Sequence, residues 1–236
     1  MPGKPVFAMP PAVVVPETTR CSRGSFGLPD DHFLFLFAFD MASGMERKNP
    51  LGLIRAFRQA FHPSEPVHLA IKVSRGAAYP ADFRILQAVA EAAGVTLIDQ
   101  VMPRADVCDL LASCDSYASL HRSEGFGFTM AEAMLLGKPT IATGYSGNLD
   151  FMTPDNSYLV QYDRVPLDRD YPPYPAGCIW ASPCESHAAG RMRHVYENRD
   201  EAAAVAARGR ETVATFLAPE AAARRITTRL AEIQKP

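Results

Sequence analysis

One stretch, Ser119–Thr143 with the sequence SLHRSEGFGFTMAEAMLLGKPTIAT, limits the possible folds more than any other. It starts at the end of a short apolar run, Tyr117 to Leu120, and passes through a polar, glycine-rich turn from Arg122 to Gly127. Helix-forming residues follow from Phe128 to Leu136 and stop at Gly137, and a second apolar run covers Pro139 to Ala142. The order strand, glycine turn, helix, strand is a βαβ unit, and its turn opens directly onto a helix N-terminus. Such a turn presents unpaired backbone N–H groups at the positive end of a helix dipole, which suits an anion such as a phosphate. Two carboxylates flank it, Glu124 before the helix and Glu132 within it.

The rest of the chain extends this unit into a sheet. Phe33 to Phe39 (FLFLFAF) is continuously apolar, as in a strand covered on both faces. Pro50 to Phe61 places Leu51, Ile54, Phe57 and Phe61 at helical spacing, with Pro50 in the first turn. Val67 to Val73 and Val95 to Ile98 read as strands; Asp82 to Ala93 reads as a helix ended by Gly94. Asp106 to Ser113 reads as a short helix with Asp106 as its N-cap, and Tyr158 to Val160 as a further strand. Strands alternating with helices predict an α/β fold with a doubly wound, mainly parallel sheet, Rossmann-like, with a helical C-terminal extension. Ligands of such sheets bind at the carboxyl ends of the strands. The loops leaving those ends are 40–49, 100–104, 121–127 and 144–150.

Residues 1–31 are rich in proline, glycine and serine around one β-branched run, Val13 to Val15, and read as a linker that adds at most a short strand. Residues 32–236 read as the domain. Within it, 161–183 is a loop rich in proline and aromatics (Tyr162, Tyr171, Tyr174, Trp180), and a stretch that long is functional or wraps another surface. From Glu185 to Gln234 the chain is alanine-rich and helical. Apolar residues recur at helical spacing through Met192, Val195 and Tyr196, then Val205, Val213 and Phe216, then Ile226, Leu230 and Ile233; Pro219 starts the last helix.

Composition removes several function classes. A formal charge of −2, with both signs interspersed, argues against nucleic acid as a partner. The longest apolar run, Phe33 to Phe39, is far short of the roughly 20 residues a membrane span needs. The five cysteines, Cys21, Cys108, Cys114, Cys178 and Cys184, form no C-x-x-C pair and read as reduced thiols of a cytoplasmic protein. Action at a membrane surface on a lipid-linked acceptor stays open. No His/Asp ligand cluster suggests a metal site.

A second constellation precedes the first helix. In FDMASGMERKNP, Arg47 and Lys48 sit where an anion held by that helix end would meet two cations. Arginine offers a planar fork of donors and lysine a point charge, and the paired oxygens of a diphosphate suit both. Solvated basic residues in a loop are the alternative. The glycine turn has alternatives too: a helix–sheet packing turn, or a dinucleotide fingerprint, though Met130 stands where its third glycine belongs.

Glu124 and Glu132 with Gly125, Phe126, Gly127 and Phe128 between them, GKPTIAT after, and R-K-N-P upstream together resemble the family-4 (group 1) retaining glycosyltransferases. The resemblance runs from about Phe33 to Leu159 and includes GYSGNLDF and DNSYLV. It implies the C-terminal, nucleotide-sugar-binding domain of a GT-B fold and transfer of a sugar from a nucleotide-diphosphate donor with retention of configuration. No cofactor and no metal are implied. Arg47 and Lys48 would bind the diphosphate, and Glu132 the ribose hydroxyls. Glu124 and the N–H groups of Phe126, Gly127, Phe128 and Thr129 would hold the donor sugar and distal phosphate. The loop near Met102 would meet the base. Glu124, Arg47 and Lys48 are the catalytic candidates, and His121 and Arg122 lie near the site. The acceptor, a glycan or a lipid-linked sugar, would sit on an N-terminal GT-B domain that this chain is expected to lack. The rival readings are a non-catalytic nucleotide-binding module that needs a second chain, and a sugar-nucleotide epimerase of the same architecture.

Overall fold

The computed structural model describes residues 6–18 and 22–233. Its centre is a six-stranded sheet of β1 (Phe33–Asp40), β2 (Val67–Ser74), β3 (Thr96–Asp99), β4 (Ser116–Ser119), β5 (Thr140–Thr143) and β6 (Tyr158–Val160). The strands run parallel in the order β3-β2-β1-β4-β5-β6, the doubly wound Rossmann arrangement. The strand order reverses between β1 and β4, the point at which sheets of this kind leave a crevice.

β1 is buried throughout Phe33–Phe39 because helices cover the sheet on both sides. The helices are α1 (Met45–Lys48), α2 (Pro50–Ala60), α3 (Pro80–Ala93), α4 (Arg104–Ser113) and α5 (Phe128–Leu135). After the sheet come α6 (Glu185–Glu197), α7 (Arg199–Phe216) and α8 (Pro219–Ile233). α2 packs against α3 and α6, and α5 against α4 and α7. Leu53, Ile54 and Phe57 of α2 are buried, as their helical spacing requires, and Tyr196 of α6 meets Phe33 and Phe61 edge-on at 5.5 and 5.6 Å. Gly94 and Gly137 close α3 and α5 in the left-handed conformation.

Three sequence expectations need correction. Asp106 is not an N-cap: α4 begins two residues earlier, after Pro103, and Asp106 lies in its first turn. Val13–Val15 forms no strand. Val13 is buried and donates its N–H to the Leu217 carbonyl at 2.9 Å, so this part of the expected linker is docked on the C-terminal helices. Residues 161–183 are not a loop but an antiparallel hairpin, β7 (Tyr162–Pro166) and β8 (Ile179–Pro183). The rings of Tyr171 and Tyr174 cover the buried Trp180 from 5.5 and 5.2 Å, so the segment carries its own small core. The last helix starts at Pro219 as expected and leaves Ile226, Leu230 and Ile233 exposed, while Met192, Val195, Val205 and Val213 are buried. Cys108, Cys114, Cys178 and Cys184 are free thiols, while Cys21 and Gln234 lie outside the described residues.

Candidate functional site

The two loops at the strand-order reversal carry the charged candidates. After β1 the chain makes a 3-10 turn at Met41–Ser43 and the single helical turn α1, then enters α2 through Asn49 in the left-handed conformation. Asn49 accepts from the Gly52 N–H at 3.1 Å and donates its amide to the Leu120 carbonyl at 2.9 Å. One side chain thus caps α2 and ties the β1 loop to the β4 loop. Arg47 adds a second tie, donating to the Ser43 carbonyl at 2.9 Å and to the Ser123 carbonyl at 2.7 Å. The Arg122 N–H, donating to the Arg47 carbonyl at 2.8 Å, makes a third.

These ties bring the basic pair to Glu124. The Lys48 ammonium bonds the Glu124 carboxylate directly, and an Arg47 guanidinium nitrogen lies 3.9 Å from the same oxygen. Burial opposes the charge on Glu124, but the Lys48 ammonium, helped by Arg47, outweighs it and holds the carboxyl below its ordinary pKa. Two cations against one carboxylate leave an excess positive charge at the crevice.

The glycine turn completes the site. Gly127, with φ of 97°, caps α5 without any side-chain hydrogen bond, and the first turn of α5 holds no acidic residue. Its N–H groups therefore face the crevice without a carboxylate partner on their own helix. Phe126 packs on Phe128 and Phe151 at 4.9 and 5.3 Å. The Tyr117 hydroxyl, 2.9 Å from Thr129 Oγ1 and 3.2 Å from the Ala38 carbonyl, pins the helix start to β1. Gly125 differs from its neighbours. Its φ is not positive, and a Cβ built there would meet nothing within 4 Å, so neither backbone nor packing demands a glycine. Open space above the turn is what an approaching ligand needs.

Glu132 and Met102 are placed differently. Glu132 is buried within α5 and accepts from Arg104 Nη1 at 2.7 Å. Arg104 also donates to the Val14 carbonyl at 2.6 Å, linking this carboxylate to the N-terminal segment. Met102 follows β3 and packs against the core. A crevice cavity of about 300 Å³ is lined by Asp40, Ser43, Lys48, Lys72, Ser74, Glu124, Gly127, Phe128 and Thr129, with Ala38, Phe39 and Val107, but not by Glu132 or Met102. A larger cavity, about 700 Å³, lies between Phe7–Met9 and the helices α7 and α8 and contains none of the candidate residues.

Sequence reasoning missed several contributors. Ser146 Oγ accepts from the Glu124 N–H at 2.8 Å, and the Gly147 N–H donates to the Glu124 carbonyl at 3.0 Å. A Cβ on Gly147 would fall 2.1 Å from the Gly125 carbonyl oxygen, so this glycine permits the close approach of the two loops. His121 is fully buried, with Nε2 3.1 Å from the Tyr145 carbonyl and Nδ1 3.1 Å from Ser119 Oγ. Burial lowers its pKa, and its partners fit a neutral ring that donates through Nε2 and holds the 144–150 loop. Arg122 spans outward, to Glu46, to the Ala181 carbonyl at 3.1 Å, and over the Trp180 ring at 5.4 Å. Lys72 and Arg75 carried no signal, since single basic residues in or after a strand read as solvated. Among the described residues no group of three or more His, Cys, Asp or Glu could hold a metal ion, and no helix is long and apolar enough to cross a membrane.

The fold has counterparts in known proteins. Anabaena HepE, solved with UDP and glucose, superposes with a TM-score of 0.68 at 18% identity, over 89% of this chain and 51% of that one. A glycosyltransferase from Rickettsia africae gives 0.72 at 15% identity, over 90% and 50%. The C-terminal domain of the group 1 glycosyl transferase LpcC from Francisella tularensis gives 0.63 at 15% identity, over 88% and 97%. At these identities the likeness is one of fold: a C-terminal GT-B half. The chain spans about half the length of HepE and the Rickettsia enzyme. No curated protein matches the sequence. Residues 33–166, from β1 through β7 and so through all the crevice loops, match the family of glycosyl transferases group 1, and the chain belongs to that family.

Proposed function

We propose that this chain is the donor-binding half of a retaining glycosyltransferase, holding a nucleotide-diphosphate sugar in the crevice between β1 and β4. The observation that carries this reading is the cluster of Arg47, Lys48 and Glu124 beside the open N-terminus of α5. It combines excess positive charge with unpaired N–H groups at the point where doubly wound sheets bind ligands. Lys48 and the N–H groups of residues 126–129 receive the diphosphate. They stabilise the negative charge that grows as the glycosidic bond to phosphate breaks, so side chains and a helix dipole neutralise the leaving group where a metal ion does so elsewhere. Arg47, already held by two carbonyls, fixes the loop and adds its field.

Glu124 is paired with Lys48 and faces the cavity, which suits a hydrogen-bond acceptor for the sugar hydroxyls. Retention then follows from attack on the same face as the departing diphosphate, with no covalent sugar–glutamate intermediate. Glu132 accepts from the ribose hydroxyls, and the backbone near Met102 meets the base. HepE was solved with UDP and with UDP-glucose, and uridine is the base to test first. The acceptor, a glycan or lipid-linked sugar, meets the donor on a second domain. In this reading the reaction is cytoplasmic, and takes place at a membrane surface when the acceptor is a lipid.

The test is calorimetric titration of the purified chain with UDP and with uridine. UDP is expected to bind at least tenfold more tightly, the increment of about one charge-assisted contact. Equal affinities would defeat the reading. A second reading is a nucleotide-binding module that transfers no sugar on its own. Turnover of UDP-glucose by the chain alone would exclude it.

A further inference from the structure

The crevice has a second lysine that the family resemblance does not assign. Lys72 lies on β2, paired in register with Ala38 of β1, and its side chain lines the same cavity as Lys48 and Glu124. It is only 6% exposed, yet its hydrogen-bond partner is a neutral hydroxyl, Ser74 Oγ. The nearby carboxylates have other partners: Asp40 is held by Arg75 Nε at 2.9 and 3.0 Å and accepts from the Ala42 N–H at 2.8 Å, and Asp99 accepts from the Gly76 N–H at 3.2 Å. Burial holds the ammonium's pKa below its ordinary value, with Asp40 and Asp99 pulling it back. A buried cation bonded to a hydroxyl and lining a cavity gains from an anion beside it.

Position assigns the anion. Lys48 follows β1 and is bonded to Glu124 in the loop after β4, whereas Lys72 lies on β2, on the other side of β1. Ser74 Oγ, which holds Lys72, also donates to the Gln100 carbonyl at 3.3 Å, and Gln100 begins the loop proposed to meet the base. A nucleotide lying across the switch point with its base toward β3 therefore presents its phosphate next to the nucleoside to Lys72 and its distal phosphate to Lys48.

Building on the donor-site reading above, we propose that Lys72, positioned by Ser74, binds the nucleoside-proximal phosphate of the donor and divides the diphosphate with Lys48. Lys72 then acts on any nucleotide carrying one phosphate, while Lys48 acts chiefly on the second.

The experiment titrates the wild type, Lys72→Met and Lys48→Ala with uridine, UMP and UDP, with thermal melts to confirm folding. Lys72→Met is expected to weaken UMP and UDP alike, about tenfold, and to leave uridine unchanged. Lys48→Ala is expected to weaken UDP by a similar factor while sparing UMP. Unchanged UMP affinity in Lys72→Met, or an equal loss for uridine, overturns the assignment of Lys72. If Lys48→Ala also leaves UDP unaffected, the donor-site reading itself falls; if Lys48→Ala behaves as expected, only Lys72 is misassigned. A measurement on the wild type covers a variant that does not fold. The chain has five lysines, at 4, 48, 72, 138 and 235, so ¹³Cε-labelled lysine gives a spectrum simple enough to assign. UMP is expected to shift the Lys72 resonance; a spectrum in which UMP binds and Lys72 stays still contradicts the proposal.

Discussion

At the carboxyl ends of β1 and β4, three loops are locked to one another. Asn49 reaches Leu120, Arg47 reaches Ser123, and Ser146 and Gly147 grip the backbone of Glu124. The outer face of α8 is the opposite case: Ile226, Leu230 and Ile233 remain 52%, 52% and 61% exposed, with no comparable ties among the described residues. Both regions carry apolar and charged residues. Only the first converts them into fixed geometry, because its polar groups find partners from distant parts of the chain. A donor site needs such fixed geometry, since orientation is a large part of what a transferase contributes.

Substitutions can sharpen or break this contrast. The largest expected effect is at the rim. Lys48→Ala should cost a nucleoside diphosphate about 1.5–3 kcal/mol, ten- to a hundredfold in affinity, with the nucleoside unaffected. Equal losses for both ligands in a calorimetric titration would place the phosphate elsewhere. Glu132→Ala comes next. It should erase discrimination between UDP and deoxy-UDP, an effect of about 1.5 kcal/mol, while leaving both able to bind. Retained discrimination would move the ribose away from α5.

Glu124→Gln is a subtler test, because Glu124 competes with phosphate for Lys48. Diphosphate affinity should rise a few-fold while turnover in an assembled enzyme falls; a tenfold loss of affinity would mean that Glu124 itself positions the nucleotide. The same variant has a pH signature. The folded-state pKa of Glu124 lies below its ordinary 4.5, so the unfolded chain takes up the proton first as pH falls. Its stabilising contribution is complete above about pH 4.5 and disappears on acidification through the lowered value. Wild-type stability should thus fall more steeply below pH 4.5 than that of Glu124→Gln, and parallel denaturation curves would contradict the buried pairing. The smallest effect belongs to α8, where Leu230→Ser should change stability by less than about 0.5 kcal/mol. A larger loss would show that this face is covered in solution.

What could be read from the sequence follows the same division. β1, α2 and the unit from β4 to β5 were legible because their apolar periodicity is local and both faces of the sheet are buried. Gly94 and Gly137 marked helix ends for an equally local reason. Illegible were the features made by distant partners. The 162–183 hairpin lacks strand alternation, because its prolines interrupt the pattern and its aromatics pack on one another around Trp180. Asp106 looked like a cap, yet α4 starts at Arg104, whose guanidinium goes on to hold Glu132 and the Val14 carbonyl. In the candidate site, Glu124 and the basic pair stood out by motif, but their direct contact required the fold. Lys72 stood in a strand of ordinary composition, and only burial beside the cavity distinguishes it.

The central claim is that a donor's diphosphate lies between Lys48 and the start of α5. The most direct measurement is a crystal structure of the chain with UDP. Phosphate oxygens are expected within hydrogen-bonding distance, roughly 2.7–3.2 Å, of Lys48 Nζ and of the N–H groups in 126–129, with Glu124 displaced from Lys48. UDP bound elsewhere, for instance between Phe7–Met9 and α8, with the Lys48–Glu124 pair intact would contradict it.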